Sequence, residues 1–114
     1  MVQAKLLSGG FIRTSDSSDG KYKANVKDGD QLVIKDEGMH KPDRFNAGEE
    51  KLNIGVEIIG KEDMGMLIWT LNKTTESDLA HAYGTDTKDW IGKLVNITKN
   101  PKGKKKGWYG EPVE

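Results

Sequence analysis

Between Leu52 and Ile58, apolar residues alternate with Asn53, Gly55 and Glu57. A period of two is the mark of a strand with one buried face, so Lys51 to Gly60 is the clearest strand in the chain. Gln31 to Asp36 reads as an earlier strand, with Leu32 and Ile34 on one face and Val33 on the other. Met64 to Leu71 is a third, apolar on both faces. Its inward set is taken as Leu67, Trp69 and Leu71, because Leu71 leads straight into a helix, which leaves Met66 and Ile68 outward. Lys93 to Lys99 forms a fourth strand with Val95 and Ile97 inward, and Trp108 to Val113 a fifth, with Pro112 near an edge. Tyr22 to Val26 is a short lead-in strand.

The segments between these strands carry turn chemistry. Residues 27–30 and 61–63 are tight turns, 37–50 a long polar loop, and 100–107 (NPKGKKKG) a basic loop. Residues 8–20 are rich in Gly, Ser and Asp and lack periodicity, so residues 1–20 are expected to be a flexible arm before a domain of residues 21–114, although Phe11 and Ile12 suit a packed position. Between the third and fourth strands the period changes to that of a helix. Leu79, Ala82 and Tyr83 form its apolar face, Thr74 or Thr75 caps it, and Thr75 with Asp78 resembles a capping box. Glu76 and Asp78 suit the positive end of its dipole, and Gly84 ends it.

Five strands with one helix between the third and fourth match the order of a five-stranded OB barrel, all-β except for the helix that plugs one end. An SH3-like barrel is the other candidate, but it usually lacks a helix at this point. A chain of 114 residues suits one domain. It has no cysteine, which excludes disulfides and thiolate metal sites. No apolar run approaches the ~18 residues of a membrane span, and the start is too short in its apolar part for a signal peptide. The expected setting is soluble and cytoplasmic.

The formal net charge is zero but unevenly spread. Residues 93–114 carry six lysines against two glutamates, a local +4 that leaves −4 for residues 1–92. A locally basic end on a neutral protein is a candidate polyanion site. Lys102, Lys104, Lys105 and Lys106 fall in the loop that flanks the ligand face of an OB fold. Trp108 and Tyr109 follow at once and, as strand neighbours, face opposite ways. Trp108 is expected outward as a base-stacking platform, with Tyr109 in the core. Lys41, Arg44 and Phe45, in the loop 37–50, are a second candidate contact. Trp69 is expected in the core, and Glu57 on the outer face of its strand weighs against phosphate there.

The segments Val26–Asp30, Leu71–Thr74, Ala82–Thr87 and Trp90–Lys93 carry a further signal. Their "LNKT", "YG-D-T" and "W-GK" pattern resembles that of a group of small proteins from phages, prophages and archaeal mobile elements. The likeness spans about residues 22–113. It implies an OB fold and single-strand-binding-like activity.

Trp90, Ile91 and Gly92 are read as structural, and Asp86 and Asp89 as turn and cap residues. His40 and His81 lie far apart with no zinc spacing, and there is no nucleophile–His–carboxylate set or phosphate-cradling loop. No enzyme, metal or cofactor is expected. The favoured reading is a sequence-tolerant binder of single-stranded DNA or RNA, with DNA preferred. The alternative is an adaptor that docks a replication or repair protein on Met66 and Ile68.

Overall fold

The alternating run becomes the longest strand, and the sheet is built on both of its edges. The computed structural model describes residues 10–16, 18–20, 23–43 and 48–113. Its elements in chain order are β1 (Gln31–Ile34), β2 (Met39–Pro42), β3 (Glu50–Ile58), β4 (Leu67–Thr70), α1 (Lys73–Tyr83), β5 (Leu94–Lys99) and β6 (Trp108–Pro112). Short 3-10 turns at Glu62–Met64 and Thr87–Trp90 join β3 to β4 and α1 to β5. All the ladders are antiparallel: β1 with β3 and β5, β2 with β3, β3 with β4, and β5 with β6. No helix among the described residues is long and apolar enough to cross a membrane.

The expected five-stranded barrel is corrected to an open sheet of six strands. The additional strand is β2, which lies inside the segment read as a polar loop. All four of its side chains are exposed, so no apolar pattern announces it. It forms because the chain that leaves β1 returns to the same edge of β3 after a short break. Val56 of β3 pairs with Ile34, and Asn53 pairs with Met39. The break is held by Asp36, whose Oδ1 accepts from Gly38 N at 3.0 Å and from Gly55 N at 2.7 Å. Gly38 adopts φ 67° there, and a Cβ would run into the Asn53 carbonyl. The lead-in strand expected over 22–26 is absent over residues 23–26, although Val26 is buried.

Closure into a barrel would require β4, at one end of the pairing path, to meet β6 at the other. They share no ladder. The gap is filled by Trp69, 8% exposed and inward as its parity predicts, whose ring lies against Gly110 of β6. The backbone groups of β6 that face the gap are taken up by the helix and its cap. Asn72 Nδ2 donates to Trp108 O at 2.9 Å, and Gly110 N donates to Thr75 Oγ1 at 3.0 Å. Just past the strand, Tyr83 Oη accepts from Val113 N at 2.9 Å and donates to Leu94 O at 2.6 Å.

The helix cap is therefore Asn72, whose Oδ1 accepts from Thr75 N at 2.8 Å, and not Thr74 or Thr75. Thr75 is buried because its hydroxyl serves β6. The inward face of α1 is Thr75, Leu79, Ala80 and Tyr83, while Ala82 is exposed. Gly84 ends the helix at φ 101°, its N–H donating to Ala80 O at 2.9 Å. Trp90 is 1% exposed and donates Nε1 to Gly84 O at 2.7 Å, the structural role read for it. Asp86 caps the following turn, accepting from Lys88 N at 3.0 Å.

Gly110→Ala would drive a methyl group into the Trp69 ring and Val95. It is expected to cost about 1–3 kcal/mol, as overpacking of a filled core does, and to lower the urea midpoint with little change in slope.

Candidate nucleic-acid interface

The basic loop is a closed hairpin tip. Asn100 N donates to Gly107 O at 2.8 Å, and Gly107 N donates to Asn100 Oδ1 at 2.8 Å. Asn100 takes φ 52°, a left-handed conformation that asparagine tolerates better than most residues. Beyond this base, Tyr109 Oη donates to Lys105 O at 3.0 Å, which ties the tip down to β6. Lys102, Lys105 and Lys106 are exposed and make no ion pair among the described residues.

Lys104 differs from its neighbours. Its Nζ lies 2.6 Å from Asp78 Oδ2 on α1 and 5.2 Å from the centre of the Tyr109 ring. It clamps the tip to the helix, and its charge is paired with a carboxylate of the protein. Of the four candidate lysines, three point their charge to solvent.

The β5–β6 register corrects the faces assigned to the two aromatics. Residues directly opposite in a ladder share a face, and Trp108 stands opposite Lys99, in the row where Gly110 faces Ile97. Trp108 therefore lies on the core side, half-buried at the rim and packed against the core. Tyr109, opposite Thr98, lies on the other face and is 8% exposed. It is buried, as expected, and the lysine tip folds over it, with Lys104 Nζ 5.2 Å from its ring centre and Lys105 O accepting from its hydroxyl. Parity alone could not show this.

Trp108 opens onto a cleft of about 220 Å³ at the gap between β4 and β6. Trp69, Tyr109, Thr70 and Lys51 line it as well. Lys99 Nζ sits 5.6 Å from the Trp108 ring centre, a cation over an aromatic face. Lys51 lies 3.3 Å from Asp43, and directly opposite it on β2 is the exposed Lys41. Lys41 thus belongs to a strand, not a loop, and stands beside a residue of the cleft. Arg44 and Phe45 lie outside the described residues.

Sequence reasoning missed Lys51 and Lys99. Lys99 had a signal: it ends the Val95–Ile97 alternation opposite Trp108 across the hairpin. The outward surface expected at Met66 and Ile68 is reduced, because Met66 is half-buried and its Sδ lies close over Gly55. Glu57 stands opposite Val33 of β1.

A second, wider cleft lies between β2 and α1, where His40 Nε2 is 3.0 Å from Glu76 Oε2. His81 is exposed on the helix. Among the described residues, no three His, Asp or Glu side chains are grouped to hold a metal.

Trp90 and Trp69 are 1% and 8% exposed, so Trp108 is the accessible indole of the three. Acrylamide quenching is expected to act mainly on Trp108, and Trp108→Phe should flatten the Stern–Volmer plot. Compared with family models, with curated proteins and with solved structures, the chain matches none.

Proposed function

We propose that the protein binds single-stranded nucleic acid, DNA foremost, without marked sequence selectivity. The observation that carries this reading is the half-buried Trp108 in a cleft, with Lys99 over its face and three solvent-facing lysines on the loop that ends at it. Every base has a π-face, so one indole serves any sequence, and stacking is worth roughly 1–3 kcal/mol per base. Lysines act on phosphate as point charges and displace the counterions of the strand. A duplex hides its bases from such a cleft, whereas a single strand presents them.

The connectivity agrees with this reading. In the open six-stranded sheet, β3 pairs with β1 and β4, β1 with β5, and β5 with β6, and α1 precedes β5; an OB-like course uses these same pairings, which supports the reading. The likeness to single-strand-binding-like proteins of mobile elements points the same way. In that setting the protein would act in the cytoplasm beside replication or repair proteins. Of the features behind the adaptor reading, Met66 is half-buried with its Sδ over Gly55.

Anisotropy titrations of labelled oligonucleotides at several salt concentrations test the proposal. Three lysine contacts predict a log–log salt slope of about −2 on a single strand, at ~0.7 per contact. Replacing Lys102, Lys105 and Lys106 together by Ala should bring that slope towards zero. Trp108→Ala should weaken binding by about tenfold while leaving the slope intact, the signature of lost stacking. Absence of binding at low salt, or equal affinity for duplex, overturns the reading.

A further inference from the structure

We infer that residues 10–13 form a strap across the nucleic-acid cleft that has to leave before a base can stack on Trp108. This rests on the binding reading above and adds its regulation. The strap runs parallel to β4 along the edge left without a partner strand. Ile68 N donates to Gly10 O at 2.9 Å, and Ile12 N donates to Ile68 O at 2.8 Å. Ile12 packs against the core cluster and, with Thr14, lines the same cleft as Trp69 and Trp108. The strap therefore lies in the gap between β4 and β6 through which a strand would pass.

The strap's other anchor is Asn25. Its Oδ1 accepts from Arg13 N at 2.8 Å, and its Nδ2 donates to Phe11 O at 2.9 Å. One side-chain amide thus pairs with the strap's backbone as a neighbouring strand would. Asn25 N adds a bond to Arg13 O at 2.9 Å. These holds are polar, and Ile12 is only half-buried while Phe11 is 52% exposed. Release frees Ile12 from the core and leaves the ladders of the sheet intact. An attachment of this kind opens locally at much less cost than the whole fold.

A site competent in only a fraction of molecules binds more weakly by that fraction. Locking the strap lowers apparent affinity, and loosening it raises it. Phe11 and Ile68 are bridge partners, so their Cα atoms lie near the ~4.8 Å spacing of paired strands, within the ~4.4–6.8 Å span of disulfides. The chain has no cysteine of its own, so Phe11→Cys with Ile68→Cys forms the sole disulfide.

The test is the affinity of this double variant for a labelled single-stranded oligonucleotide before and after reduction, beside wild type and Asn25→Ala. Binding at least about tenfold weaker in the oxidised than in the reduced form is expected, together with tighter binding by Asn25→Ala than by wild type. Asn25 does not line the cleft, so its effect reports the strap alone. Equal affinity of the oxidised and reduced forms, or no gain in Asn25→Ala, overturns the strap while wild-type binding upholds the cleft. No binding by wild type overturns both.

Discussion

A sheet that runs from β4 to β6 without closing leaves two rows of backbone N–H and C=O groups facing a gap, and those groups must find partners. The rest of the molecule is arranged around that requirement. The β6 row is met by side chains: Asn72 and Thr75 reach Trp108 and Gly110, and Tyr83 reaches the chain just beyond. On the β4 row, Ile68 is met by the backbone of residues 10–12. Trp69 fills the space between, made possible by the missing side chain at Gly110. One glycine, one indole, three polar side chains of the helix segment and the backbone of residues 10–12 thus stand where a ladder between β4 and β6 would close the sheet.

The same gap gives the protein its candidate site. A closed seam would bury Trp108 or push it to an outer face. The open seam leaves it half-buried, with part of the ring against the core and part facing the cleft that residues 10–13 cross. The lysine tip is placed by the same elements, since Tyr109 holds it from below and Asp78 of α1 draws Lys104 in. That pairing divides a run of similar residues into one structural lysine and three exposed ones. A protein of zero net charge gains no long-range attraction for a polyanion, so whatever it binds is governed by this local arrangement.

Much of the framework was legible in the order of residues. The alternation of Leu52, Ile54, Val56 and Ile58 dictates β3, because a period of two leaves one face dry. The inward row of Leu67, Trp69 and Leu71 followed from its link to the helix, and the strand is buried in that row. β2 was not legible: it has no buried side chain, and its reason for existing is an open backbone edge on β3. The helix cap was misplaced by two or three residues because Thr75 and Asn72 both suit the role, and the hydroxyl of Thr75 is claimed by β6.

The sequence by itself determined the strands with a dry face, the single helix, its end at Gly84 and the basic hairpin tip. These depend on local periodicity, backbone preference and charge. Tertiary structure alone decided whether the sheet closed, which faces Trp108 and Tyr109 took and which lysine was drawn into an ion pair. Those outcomes depend on residues far apart in the chain: Gly110 beneath Trp69, Lys104 on Asp78, Asn25 on Phe11 and Arg13. Burial of Tyr109 shows the reason most directly. Its neighbours in sequence supply the loop that covers it, but only the register of β5 on β6 sets it on the face where that loop folds back.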